Sequence, residues 1–165
     1  MHKFKKMVRI LSIALQKLTQ GDKMKSNKEI LSSLLKTTQM GQIGIRSVQD
    51  AAKNDDLKKA LSDQLREYDS IETEVHALAK HRGWQLHELN PSIRAMSEMM
   101  SQMKLIGGNK DSKIAAMMIQ GNTRGMITGL KNAHQHTEKD EKVTNLSDKL
   151  LSFEMANIRQ MEPFL

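Results

Sequence analysis

QGNTRGMITG, Gln120 to Gly129, sets Gly121, Gly125 and Gly129 four residues apart inside a run that otherwise reads as helix. Each glycine within a soluble helix costs about 0.8–1 kcal/mol relative to alanine, so three cost roughly 3 kcal/mol. Spacing of four stacks them on one face. A smooth face of that kind lets a second backbone approach closely, the logic of small-xxx-small packing. The stretch therefore predicts a helix packed tightly on a neighbour. It is not a phosphate-binding loop, because no strand precedes it.

The rest of the composition points the same way. The 165 residues fit one domain with a substantial core. Aromatic residues make up 3%, against 13 methionines, and the only prolines are Pro91 and Pro163. Methionine, leucine and isoleucine suit helix–helix interfaces, whereas sheets favour β-branched and aromatic side chains. The expected class is all-α. With no cysteine, disulfides, thiolate zinc sites and cysteine nucleophiles are excluded, and a cytoplasmic location is expected.

The net charge of +7 is unevenly spread. Residues 1–25 hold Lys3, Lys5, Lys6, Arg9, Lys17, Lys23 and Lys25 against Asp22 alone, whereas the remainder carries 19 basic and 18 acidic side chains. The high isoelectric point is thus a property of the N-terminal segment, and a nucleic-acid role for the whole chain does not follow from it. Residues 2–19 read as a basic amphipathic helix with Phe4, Met7, Val8, Leu11, Ala14, Leu15 and Leu18 on one side. It is too short to span a bilayer. Arg9 interrupts its apolar run, and no small-residue cleavage site follows, which argues against a secretory signal. It is expected to be an extra helix on the bundle or an extension upstream of Met24. The alternative is binding to a membrane surface or nucleic acid, through this segment only.

Residues 26–165 divide into four amphipathic helices. Ser26 to Glu29 forms a capping box. The seam of the first helix runs Leu31, Leu34, Thr38, Gly41, Ile45, Val48, Ala52, with a small and polar middle that includes Gln42 and Gly44. The second helix is expected to start at Asp55-Asp56 and to end at Gly83 as its C′ residue, with Trp84 plugging the bundle end. Its inner side is Leu57, Leu61, Leu65, Tyr68, Ile71 or Glu72, Val75 and Leu78. A connection over 84–111 carries a short helix with the stripe Ile93, Met96, Met100, Met103, Ile106, read as core. The third helix begins at Asp111 or Ser112 and contains the glycine face. The fourth occupies about Val143 to Met161, with Leu146, Leu150, Phe153, Asn157 and Ile158 inward.

Short links between helices one and two, and three and four, predict two antiparallel hairpins. The long link between them predicts a crossover that brings helix one beside helix three, and two beside four. Gly121, Gly125 and Gly129 would then meet a Gly41/Gly44 patch across that interface.

This layout resembles the ferritin-like superfamily, whose bundles have one long crossover. The runs QLREYDSIETE, MMIQGNTRGMI and FEMANIRQM are similar to a family of small uncharacterised helical proteins of Firmicutes-type bacteria, over about residues 27–165. The superfamily resemblance implies a di-metal centre with one glutamate from each of two helices and Glu-x-x-His from the other two. The matching positions here are Met40-Gly41-Gln42, Glu67-Tyr68-Asp69-Ser70, Gly121-Asn122 and Glu154-Met155-Ala156-Asn157. At most two carboxylates remain and no histidine, so neither a metal nor another cofactor is expected. Elsewhere, Glu72 with His76 reads as a solvent-facing pair, and His134 with His136 as a polar loop.

Thr38, Gln42, Tyr68, Asn122, Thr128, Glu154 and Asn157 lie on or beside inner faces. They predict a hydrogen-bonded polar layer at the height of the missing metal site; a small polar ligand pocket is the rival reading. No catalytic residue or small-molecule substrate is identified. The function expected is that of a non-enzymatic bundle acting by association, as a homodimer or with another protein. A divergent metal-binding protein is the alternative.

Overall fold

The computed structural model describes residues 23–89 and 108–165. Among them are four helices, α1 (Asn27–Val48), α2 (Asp55–Arg82), α3 (Lys110–Gln135) and α4 (Glu141–Met161), with no named strand. Short 3-10 turns, Gln49–Ala51 and Glu162–Phe164, follow α1 and α4. The predicted helices over residues 2–19 and 93–106 lie outside the described residues.

Side-chain caps fix where the helices begin. The Ser26 hydroxyl accepts from Glu29 N at 3.2 Å, and the Glu29 carboxylate accepts from Ser26 N at 2.9 Å, completing the capping box. The second helix is capped by Asn54, whose side-chain oxygen accepts from Asp56 and Leu57 N–H, rather than by the aspartates themselves. Asp55 and Asp56 occupy the first turn, where the helix dipole favours them. Asn109 caps α3 in the same way, and the helix begins at Lys110, one residue ahead of Asp111. Asp111 is thereby released to accept from Lys53 N at 2.8 Å and Asn54 N at 3.0 Å, tying the α1–α2 turn to the start of α3. Gly83, at φ +67, ends α2. Trp84 N–H bonds Ala79 O and Gly83 N–H bonds Lys80 O, the two bonds of a Schellman motif. Trp84 is half-buried against the core.

Contacts at the helix ends give the directions. Lys25 N donates to Gln135 O at 2.7 Å and Thr137 N to Lys25 O at 3.2 Å, so α1 starts where α3 ends. The Arg82–Asp140 ion pair, at 2.7 Å, places the end of α2 at the start of α4. Further along, the Gln64 amide donates to Gln160 Oε1 at 2.7 Å. With α1 pointing up, α2 and α3 point down and α4 points up. The end of α2 and the start of α3 therefore lie at opposite ends of the bundle. Helix α1 packs on α2, α3 and α4, and α2 packs also on α4. The core takes Leu31, Leu34, Leu35 and Ile45 from α1, Leu57, Leu61, Ile71 and Val75 from α2, Ile114, Ala115 and Met118 from α3, and Val143, Leu146, Leu150 and Met161 from α4.

The glycines do not do what their spacing predicts. A Cβ at Gly41 would strike the ring of Tyr68 from α2, 2.7 Å from Cε1. At Gly125 it would lie 2.7 Å from the Glu154 carboxyl carbon, on α4. Gly129 is in ordinary contact range of Leu151, with a Cβ 3.4 Å from its Cδ1. Gly121 is exposed, with no atom within 4 Å of a built Cβ. Gly44 is buried on α1. The notches at 41 and 125 thus hold large side chains from the other helix of each hairpin, in place of backbone packing between α1 and α3. An antiparallel hairpin partner can lay a long side chain across a missing Cβ, and that burial offsets the glycine penalty.

Candidate functional site

Both occupied notches open on the same place. Tyr68, 1% exposed, enters the bundle over Gly41, and Glu154, 2% exposed, enters beside Gly125. The tyrosine ring packs edge-on against Phe153, with centroids 4.8 Å apart. Its hydroxyl lies 3.0 Å from Glu154 Oε1 and 3.1 Å from Asn122 Oδ1. The Asn157 amide donates to Asn122 Oδ1 at 3.2 Å, and the Asn122 amide donates to Met118 O at 2.7 Å. Asn122 and Asn157 are each 2% exposed. Three helices, α2, α3 and α4, therefore converge on one buried polar group of four side chains.

The electrostatics follow from burial. Desolvation pushes the Glu154 carboxyl up to about 8, against the downward pull of the Tyr68 hydrogen bond. The Tyr68 hydroxyl is raised well above its ordinary value by burial, and by the Glu154 charge it would face. At neutral pH the carboxyl is an acid with a proton to donate. Tyrosine has one hydrogen and cannot donate to two oxygens at full strength. The Tyr68 hydroxyl is the donor within reach of both Glu154 Oε1 and Asn122 Oδ1, so the two oxygens share its single hydrogen. Asn122 in turn donates to the carbonyl of Met118. The other carboxyl oxygen, Oε2, has no hydrogen-bond partner.

The remaining residues of the predicted layer are placed differently. Gln42 is buried, but its amide donates to Asp69 at 2.8 Å and Glu72 at 2.6 Å, on the flank of α2. Thr38 is fully buried and its hydroxyl oxygen has no partner. Thr128 is half-buried and its hydroxyl donates to Arg124 O within its own helix. The layer is thus two groups, a central one on Glu154 and Tyr68 and a flanking one on Asp69 and Glu72.

In the flanking group, Asp69 and Glu72 lie three residues apart on α2 and both accept from the Gln42 amide. Gln39 adds a 3.2 Å bond to Glu72 and also accepts from Leu89 N at 3.3 Å, so it braces the segment that leaves α2. Burial raises the Glu72 carboxyl, but the Gln42 and Gln39 amides and His76 outweigh it and hold the group below its usual value. Glu72 and His76 stand 3.6 Å apart at a half-exposed position. His136 is buried against Asn27 at 2.5 Å, whereas His134 is exposed. Gln64, 1% exposed, was missed; its signal was position, one turn before Tyr68 on the inner seam.

Among the described residues no three histidine, cysteine, aspartate or glutamate side chains are grouped to hold a metal ion. The central donors are one carboxyl, one phenol and two amides. Two divalent cations need several carboxylates and imidazoles to balance their charge, so this set does not fit a di-metal centre. Among the described residues no helix is long and apolar enough to cross a membrane. No protein-family model, no curated protein and no solved structure matches the chain.

Proposed function

We propose that this chain is a non-catalytic helical bundle of ferritin-like descent, related to the Firmicutes-type family it resembles, and that it acts in the cytoplasm by association with protein. The order of helix directions, with α2 ending and α3 starting at opposite ends of the bundle, supports the ferritin-like ascription. The single observation that carries the functional reading is the donor set at the bundle centre. Where a ferritin-like enzyme gathers carboxylates and imidazoles, this chain has a lone carboxyl held neutral by burial and tied to Tyr68. One of its oxygens is bonded to Tyr68 of α2, within a group that joins α2, α3 and α4, an arrangement suited to fixing helix register.

Metal content after loading tests this. Protein incubated with Fe(II) or Mn(II), desalted and submitted to elemental analysis is expected to retain well below one metal per chain. Retention of two per chain would contradict the reading and establish the divergent metal-binding alternative.

A further inference from the structure

Five large apolar side chains are strongly exposed among the described residues: Met24, Ile127, Leu130, Met155 and Leu165. Only Ile127 and Leu130, 45% and 47% exposed, share one helix face, three residues apart on α3. Half-buried Ile119, Thr123 and Met126 continue that stripe toward the N-terminus of the helix. Arg124 and Lys131 flank it two turns apart, and no described carboxylate forms an ion pair with either. The only acid in α3 is Asp111, and its two oxygens face Lys53 N and Asn54 N. The outer face of α2 is different, with Lys58 paired to Asp55, and Lys59 and Arg66 both paired to Asp63. Among the described residues, α3 thus carries two strongly exposed aliphatic side chains on one face beside two cations without an ion pair.

We propose that this face of α3 docks an acidic amphipathic helical segment of a partner protein, with Ile127 and Leu130 as apolar anchors and Arg124 and Lys131 as the charged edge. The pattern of anchors at three- and four-residue steps is what helix-on-helix recognition uses. Charge complementarity selects the occupant. A second copy packed on the same stripe would set Arg124 and Lys131 against their own equivalents. Residues 2–19 are basic and meet the same objection. Nucleic acid is disfavoured by the apolar centre of the stripe. This inference deepens the association reading above, and the two fail separately: metal retention overturns that reading, whereas peptide binding tests this face.

The test uses the full chain and a fluorescein-labelled synthetic helix with a leucine stripe flanked by glutamates. A second helix has the same stripe flanked by lysines, and phosphatidylglycerol vesicles are the third probe. The acidic helix is expected to bind saturably, with a Kd of about micromolar order. Leu130→Glu should weaken it at least about tenfold, as should the double change Arg124→Glu with Lys131→Glu. The double variant should gain affinity for the lysine-flanked helix, a reversal that misfolding cannot mimic. No saturable binding, or equal binding of both helices to the native chain, overturns the proposal. Vesicle binding that exceeds peptide binding and is lost in the double variant would give the face to a membrane surface instead. A dimeric solution mass that Leu130→Glu makes monomeric would give it to a second copy.

Discussion

Glycines that look alike in the sequence differ in what a side chain would meet there. Gly121 sits mid-helix in open space, so Gly121→Ala removes a propensity penalty and adds no clash. It is expected to raise the unfolding free energy by about 0.5–1 kcal/mol in urea titration. Gly125→Ala drives a methyl into the Glu154 carboxyl, and Gly41→Ala drives one into the Tyr68 ring. Both should destabilise by about 1–3 kcal/mol, by the overpacking mechanism. Equal effects at 121 and 125 would contradict the assignment of the notch. Tyr68→Phe removes the one hydroxyl that joins Glu154 to Asn122. Leaving those groups short of a partner should cost about 1–3 kcal/mol, and the Glu154 carboxyl should titrate at still higher pH, because the lost bond is the one that pulls it down.

Among the elements, helix existence and inner faces were legible because the apolar seams recur at three- and four-residue steps over many turns. Leu31, Leu34, Ile45 and Val48 on α1, and Leu57, Leu61, Ile71 and Val75 on α2, are all fully or almost fully buried. Helix starts were less legible. Asn54-Asp55-Asp56 offers three cap-competent residues in a row, and only the backbone turn decides that Asn54 takes the role. The same ambiguity at Asn109 concealed the second job of Asp111. Asp111→Ala is therefore expected to cost more than a surface change, about 1–2 kcal/mol, by leaving Lys53 and Asn54 N–H without their acceptor. Equilibrium unfolding of this variant beside Asp148→Ala, an exposed site on α4, checks it. For the glycine face, a repeat of four suggests a backbone neighbour. The sequence had no means of showing that the neighbours would be a ring and a carboxyl arriving from α2 and α4.

At the scale of the whole molecule, two hairpins are locked at their ends by Asp111, Arg82–Asp140 and the Lys25–His136 bridge, and in the middle by the group around Glu154. Tyr68, Asn122, Glu154 and Asn157 could be listed from the seams, but that they meet, and that Gln42 turns away, depends on which flank each hairpin offers. The central claim is that Glu154 is held as a neutral acid in the middle of the bundle. Its folded value of about 8 stands above the ordinary 4.5, so the folded state binds more protons than the unfolded chain between those two values. Stability therefore falls as pH rises through that window and levels off above it. The loss is expected to be a few kcal/mol, with about 5 kcal/mol as the ceiling for such a displacement. Glu154→Gln keeps the shape of the neutral acid and cannot ionise. His136, held below its usual value chiefly by burial, affects both proteins alike on the acid side and cancels in the comparison. The decisive measurement is the unfolding free energy of the native chain and of Glu154→Gln, by urea titration from pH 5 to pH 9. The account predicts similar stabilities at pH 5 and a variant more stable than the native chain by a few kcal/mol at pH 9. A difference that stays constant across that range, or a native chain that gains on the variant as pH rises, would contradict it.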